Sequence, residues 1–200
     1  MSSKQETEIK LAVPDAASAR RLLRAAGFRI LHRRVFEANT VFDTPGLELR
    51  KRVSLLRVRE AGRTVTLTYK GPPCVSRHKS REEVEIEIPG ARTISAILER
   101  LGFHATFRYE KYRTEFHHPG RRGIVMLDET PVGVFLELEG TPSWIDRAAR
   151  ALGFDESGYI TASYGRLYLE WCAGRGVKPS DMVWGKGRRS QNGPMRPECP

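Results

Sequence analysis

The sequence predicts an α+β domain built on roughly eight strands, mostly antiparallel. Three observations lead there. Successive short segments alternate apolar and polar residues with the two-residue period of a half-buried strand. Turn signals such as Ala61-Gly62 and Pro131 to Gly133 stand between adjacent segments, as hairpins require. Helical stretches fall at only three or four junctions, and no internal repeat is evident. The 200 residues, 40% hydrophobic and 29% charged, suffice for one globular domain, or one domain with a tail.

In the first strand, within MSSKQETEIKLAV, Glu6, Glu8 and Lys10 alternate with Thr7 and Ile9, so all three charges share one face. PDAASARRLLRAAGF follows as an amphipathic helix, capped by Asp15 and stopped at Gly27. A strand runs from about Phe28 to Asp43, and TPGLELRKR reads as a turn with a basic connection. SLLRVRE and RTVTLTYK form a hairpin, and residues 71–80 a loop. REEVEIEI alternates strictly, ARTISAILERLGF is a second helix, and ATFRYEKYRTEFHH is a long strand. Strands at GIVMLDE and VFLELE flank a turn. TPSWIDRAARALGF is the clearest helix, with Thr141 as cap and Pro142 at its first position. A further helix spans Ala162 to Cys172. From Ala173 the chain becomes rich in Gly, Pro and basic residues, with six Lys/Arg against two acids. The expected organisation is a domain over 1–172 and a disordered basic tail over 173–200.

The formal charge of +10 points to an anionic partner: nucleic acid, an acidic membrane surface or a phosphorylated small molecule. Cys74, Cys172 and Cys199 are too scattered for a disulfide framework, and none forms a zinc-type CxxC pair. The start MSSKQETE lacks an apolar signal core, and no apolar run approaches the roughly 18 residues that span a bilayer. A cytoplasmic protein without a membrane partner is expected. No GxSxG or P-loop is present, which argues against serine-hydrolase and Walker-type chemistry. His117 and His118 read as a surface turn, while His32, His78 and His104 stand alone.

The polar parity of the strands is charged to an unusual degree. Arg57 and Arg59 oppose Leu56 and Val58; Thr64, Thr66, Thr68 and Lys70 oppose Val65, Leu67 and Tyr69. Arg81, Glu83, Glu85 and Glu87 oppose Val84, Ile86 and Ile88; Lys111, Arg113 and Glu115 align; Asp128 opposes Leu127; Glu137 and Glu139 oppose Leu136 and Leu138. Helices carrying Leu22, Leu23, Ile97, Leu98, Ile145 and Leu152 would cover the apolar face, leaving the charged face to point elsewhere. Eight strands can close into a barrel whose interior holds side chains or one small ligand. Clustered carboxylates such as Glu6, Glu8, Glu137 and Glu139 would repel one another unless divalent cations sat among them, and oxygen ligands favour Mg²⁺ or Mn²⁺. The forks of Arg57, Arg59 and Arg113 suit phosphate oxygens, with Lys70 and Lys111 as point charges.

The ordered set of motifs resembles the CYTH superfamily, the triphosphate tunnel metalloenzymes, which includes class IV adenylyl cyclases, thiamine triphosphatases and inorganic triphosphatases. ETEIK is similar to its ExExK signature. VFDTPGLELRKR, LRVR, LTYKG, REEVEIEI, EKYR, LDE, VGVFLELE and SYGRL follow in order over about residues 5–170. The resemblance implies an eight-stranded antiparallel closed β-barrel with helices packed outside. It implies metal binding by Glu6, Glu8, Glu137 and Glu139, with Glu83, Glu85 and Asp128 as further acidic wall. It implies triphosphate binding by Lys10, Arg57, Arg59, Lys70, Lys111 and Arg113, with Glu6, Glu8 and Lys10 as the catalytic group. Val41 stands where many relatives carry an aromatic, which removes an expected stacking contact. Ser163 and Tyr164 are expected to pack or cap near the tunnel.

The leading expectation is a metal-dependent triphosphatase, acting as monomer or homodimer on inorganic triphosphate or a small organic triphosphate such as thiamine triphosphate. The same site would serve an adenylyl cyclase. A non-catalytic polyphosphate-binding module and an RNA-binding domain driven by net charge are the rivals from other classes; the basic tail reads first as a solvated segment without a role, with docking or RNA binding, anchored by Trp184, as its alternative, and nucleic acid is not expected at the core.

Overall fold

Along the first strand, Ile9 and Leu11 are completely buried on one side while Glu6, Glu8 and Lys10 are buried on the other. A strand buried on both faces needs a layer on each side, and the two layers here differ in chemistry. The computed structural model describes residues 4–120 and 122–185. Nine strands are present: β1 (Lys4–Val13), β2 (Arg29–Asp43), β3 (Leu55–Ala61), β4 (Thr64–Lys70), β5 (Cys74–Val75), β6 (Lys79–Ile88), β7 (His104–His117), β8 (Ile124–Thr130) and β9 (Gly133–Glu139). Among the described residues five α-helices accompany them, α1 (Ala16–Ala25), α2 (Glu48–Lys51), α3 (Ala91–Arg100), α4 (Pro142–Ala151) and α5 (Tyr164–Arg175), with a 3₁₀ turn at Glu156–Gly158.

The strand order is β1-β9-β8-β7-β2-β3-β4-β6, and β6 pairs back onto β1 to close an eight-stranded antiparallel barrel. The short β5 pairs beside it at Cys74↔Ser80. The seam is set by Lys4↔Glu83 through Glu8↔Lys79. β2 and β7 form the longest pairing, interrupted by register shifts between Ile30 and His32, His32 and Val35, and Val41 and Phe42. Such irregularities bend a strand around a barrel.

The apolar core lies outside the barrel. Ala19 and Leu23 of α1 and Trp144, Ile145, Ala148 and Ala149 of α4 pack on Ile9, Leu11, Val125, Leu127, Leu136 and Leu138. Each fully buried aliphatic side chain contributes about 1.5–3 kcal/mol relative to exposure. Asp15 caps α1 by accepting the Ser18 N–H at 2.7 Å. Gly123 is required where Trp144 crosses the β8 entrance: its φ is 141°, and a Cβ there would fall inside the indole. Leu98 of α3 packs with Phe42 and Val58, and α5 buries Tyr164, Tyr168 and Cys172 against Tyr109 and Phe135.

Three segments differ from the sequence reading. TPGLELRKR contains α2, because the Asp43 carboxylate gathers the backbone N–H groups of Thr44, Leu49 and Arg50 at 2.7–2.9 Å. β6 starts at Lys79, within the expected loop. Where a basic tail is expected from Ala173, α5 continues to Arg175, and Met182 bridges to Tyr109. Residues 186–200 of that segment, including Cys199, lie outside the described residues. No helix among the described residues is long and apolar enough to cross a membrane.

The α2 loop is backbone-strained. Leu47 and Val53 both have φ of 56°, a region disfavoured for any residue with a Cβ and most of all for a β-branched one. Val53 is 61% exposed, so its side chain returns little burial. The left-handed conformation costs roughly 1–2 kcal/mol for an L-residue, against about 0.5–1 kcal/mol of entropy for glycine. Val53→Gly is therefore expected to raise Tm by about 2 °C in a thermal melt; an unchanged or lower Tm would contradict the strain.

Candidate active site

The inward parities of the eight barrel strands converge on one interior cavity of about 1390 Å³, to which every strand but β8 brings a charged side chain. Each strand delivers its residues by simple alternation, and closure sets them against partners from neighbouring strands. The Lys70 ammonium lies 2.6 Å from Glu6 and 3.2 Å from Glu83. Glu8 accepts from Lys79 at 2.9 Å and Lys10 at 3.1 Å; Glu137 receives Lys10 at 3.0 Å and Arg113 at 2.8 Å. Arg59 donates to Glu85 at 3.1 Å, and Lys4 reaches Glu139 at 2.7 Å. Arg57 donates to Tyr109 and Thr68, both at 3.2 Å, while Thr68 donates to Glu85 at 2.6 Å.

Burial opposes a charge, so the sign of a shift reports whether the partners outweigh it. At Glu8 burial raises the carboxyl, Glu137 adds to that, and Lys10, Lys79 and Lys70 overcome both to hold it below its ordinary range. Glu137 is likewise held well below by Lys10, Arg113 and Lys111 against burial. Lys10, against burial, is held above the usual ammonium value by Glu137 and Glu8. Two groups on β6 go the other way. Burial, with the nearby charges of Lys10 and Arg81, pulls Lys79 down despite Glu8, and burial pushes Glu83 up despite Lys70.

Of the residues singled out in the sequence, Glu6, Glu8, Lys10, Arg57, Arg59, Lys70, Glu83, Glu85, Lys111, Arg113, Glu137 and Glu139 all line the cavity. Asp128 does not. It is 0% exposed, behind the basic wall, and accepts from Lys111 at 2.9 Å, Arg113 at 2.7 and 2.6 Å, and Tyr164 at 2.6 Å. Its oxygens orient cations, which leaves it poorly placed for a metal. Ser163 caps α5, and Tyr164 places its ring 5.2 Å from the Lys10 ammonium. His78 does not stand alone: it is buried, with Nε2 2.8 Å from Asp146 of α4.

Sequence reasoning missed Lys79 and Glu37. Both carried the signal: Lys79 continues the parity of Arg81, Glu83 and Glu85, and Glu37 shares that of Asn39 and Asp43. The donor set of Glu6, Glu8, Glu137 and Glu139 is all carboxylate oxygen, on β1 and its neighbour β9, and fits a hard divalent cation. Those oxygens now contact Lys4, Lys10, Lys70, Lys79 and Arg113, so ligation would exchange partners. Among the described residues, no three His, Cys, Asp or Glu side chains stand together as a ready-made site.

Glu37 offers a pH test of this interior. Burial opposes its charge, but Lys111, Arg113 and Arg59 lower its carboxyl from an ordinary 4.5 to about 2. A depressed carboxylate contributes stability that is fully present above pH 4.5 and lost as pH falls through about 2. Glu37→Gln is expected to cost about 3 kcal/mol at neutral pH. The gap to wild type should close as denaturation is measured from pH 4.5 down to 2. A gap that stays constant over that range would refute the assignment.

Comparison with known proteins places this architecture. The sequence pattern of the CYTH domain matches residues 4–164. A Methanocaldococcus jannaschii protein named "putative adenylate cyclase" is 28% identical over 147 residues, 74% of this chain and 83% of its own. A solved Pyrococcus horikoshii structure superposes with a TM-score of 0.68 at 26% identity, covering 82% of this chain and 98% of that one. A Hippeastrum protein, described as a "putative adenylyl cyclase" with a dominant triphosphatase activity, superposes at 0.64 with 22% identity, covering 82% and 95%. The matched span contains every strand of the barrel and every charged wall residue named above. This chain belongs to the CYTH domain family.

Proposed function

We propose that the tunnel is the active site of a divalent-metal-dependent enzyme that hydrolyses inorganic triphosphate or a small organic triphosphate such as thiamine triphosphate. The observation that carries this reading is Arg57. Its guanidinium is 8% exposed and fixed by Tyr109 and Thr68, yet its buried Nε–H has no acceptor. Buried N–H groups are nearly always paired, and the side chain that carries this unmet one lines the cavity with its guanidinium held in place, so an anionic oxygen brought against it would complete its hydrogen bonding. Lys10, Lys111 and Arg113 line the same cavity.

On this reading Lys10, Arg57, Arg59, Lys70, Lys111 and Arg113 bind the phosphate chain, and Glu6, Glu8, Glu137 and Glu139 would hold Mg²⁺ or Mn²⁺, with Glu83 and Glu85 beside them. When bound, the ion would supply Lewis-acid polarisation of phosphoryl oxygens. Water attacks the terminal phosphorus, the bond to the bridging oxygen breaks, and inorganic phosphate carrying the water's oxygen forms as diphosphate or the organic diphosphate leaves, with the water's proton passing to a phosphate oxygen or to solvent. The basic side chains stabilise the charge that collects on the leaving oxygen, from positions already fixed by their carboxylate partners.

The name of the Methanocaldococcus relative favours a second reading, adenylyl cyclase. There the ribose 3′-hydroxyl would attack the α-phosphorus of ATP and pyrophosphate would leave. The triphosphatase activity stated for the Hippeastrum protein supports hydrolysis. Both reactions make the same first demand, a triphosphate held among metal ligands and cations.

Purified protein incubated with inorganic triphosphate, thiamine triphosphate and ATP, each with Mg²⁺ or Mn²⁺, is expected to release phosphate. Cyclic AMP with pyrophosphate would select the cyclase, and no metal-dependent turnover would leave only a binding module. Glu139 pairs with a largely exposed Lys4, so Glu139→Gln should change Tm little. Its kcat is expected to fall by roughly 10²-fold or more. Arg57→Ala should instead raise KM about tenfold or more. Wild-type kinetics in either variant would sink the corresponding role.

A further inference from the structure

The chain does not leave the barrel at the end of α5. After Gly176, whose φ of 64° caps the helix, the chain returns along β7. Met182 donates its N–H to the Arg108 carbonyl and accepts the Glu110 N–H, both at 2.9 Å, making a parallel bridge with Tyr109. Asp181 accepts the Arg108 N–H at 2.8 Å, and Trp184 donates its backbone N–H to Glu110 at 3.0 Å. Ser180 donates its N–H to the Tyr168 hydroxyl at 3.2 Å. The Met182 side chain is 1% exposed, packed with Tyr109, Phe135, Tyr164 and Tyr168.

This strap has a reason to sit there. β8 pairs with β7 only from Tyr112 to His117, so Arg108 and Glu110 lie beyond the end of that ladder. An open strand edge attracts another strand, and the chain's own C-terminal segment meets that demand. In doing so it places Pro179, Ser180 and Asp181 on the wall of the tunnel. The wall at this end is aromatic as well as ionic. Phe107 stacks on Tyr109 with centroids 5.8 Å apart and 22° between planes, and on Tyr168 at 6.0 Å and 27°. None of the strap residues falls within the span matched by the CYTH domain, 4–164.

We infer that Pro179–Met182 form a specificity-determining wall over the aromatic end of the tunnel, selecting triphosphates that carry a planar organic ring over inorganic triphosphate. The inference rests on the triphosphate reading of the same tunnel. The ion-lined section takes the phosphates of either ligand; only a ring-bearing one extends to the end of the cavity that Phe107, Tyr109, Tyr168 and the strap line together.

The test compares dissociation constants of ATP and inorganic triphosphate by calorimetry on full-length protein, with Ca²⁺ as the divalent cation, so that binding is read apart from Mg²⁺- or Mn²⁺-dependent turnover. Met182→Asp puts a carboxylate into an apolar contact and releases the strap. Ser180→Trp, on an exposed residue, narrows the mouth while keeping the Met182 anchor and the backbone N–H bond to Tyr168. In both, the ATP constant is expected to rise about tenfold more than that of inorganic triphosphate. Weakening of both ligands in step by Met182→Asp, or unchanged ATP binding in Ser180→Trp, overturns the inference. A wild-type protein that binds neither ligand overturns the triphosphate reading and this inference together. Selective binding without turnover overturns only the proposed reaction.

Discussion

The arrangement of the tunnel depends on Asp128. Its carboxylate is wholly enclosed and receives Lys111, Arg113 and the Tyr164 hydroxyl, from β7 and from the first turn of α5. A charge removed from water costs several kcal/mol unless it is paired and fully hydrogen-bonded. The contacts that satisfy this carboxylate also fix two cations on β7 and tie α5 to the barrel. Burial, Asp128 and Glu137 together push the Tyr164 hydroxyl well above its ordinary value, so Tyr164 serves as a donor here.

From Asp128 the interior continues as shared partners. Arg113 is shared with Glu137, Glu137 with Lys10, Lys10 with Glu8, and Glu8 with Lys79 across the seam. Glu8 and Lys79 are also register partners in the pairing that closes the barrel. Closure and charge satisfaction are therefore the same event. A lone anion entering this tunnel would have to take cations from carboxylates and leave those carboxylates unpaired. A lone divalent cation would do the reverse to the lysines. A triphosphate together with a divalent cation, as proposed, lets both exchanges occur while every buried charge keeps a partner. That coupling follows from the paired interior rather than from any single residue.

Most of the barrel was legible because alternation is local: Glu6, Glu8 and Lys10 declare their common face within five residues. The same holds for Arg57 with Arg59 and for Glu137 with Glu139. Asp128 declared its face but not its depth, since being behind the wall depends on β7 and α5 arriving over it. Lys79 was hidden by the neighbouring Gly71-Pro72-Pro73, whose loop signal spread too far along the chain. Glu37 was hidden because β2 places Asn39 and Val41 between its two acids, diluting the charged parity. α2 exists through a tertiary-like capping contact from Asp43, six and seven residues away from the N–H groups it binds. Neither propensity nor period reports such a contact.

The strap was the least legible part, and its composition explains why. A Gly- and Pro-rich segment cannot build a core of its own, so composition alone argues for a solvated tail. What orders it lies elsewhere in the chain, in the mismatch between the long β7 and the shorter β8. That mismatch leaves edge hydrogen bonds at Arg108 and Glu110, and two apolar anchors, Met182 beside Tyr109 and the Trp184 ring 6.0 Å from that of Tyr112, hold the segment against them. The requirement is geometric: a barrel whose strands differ in length must cover the excess edge or expose it. Here the covering segment comes from outside the span that the CYTH domain matches and adds its own side chains to a wall of the tunnel.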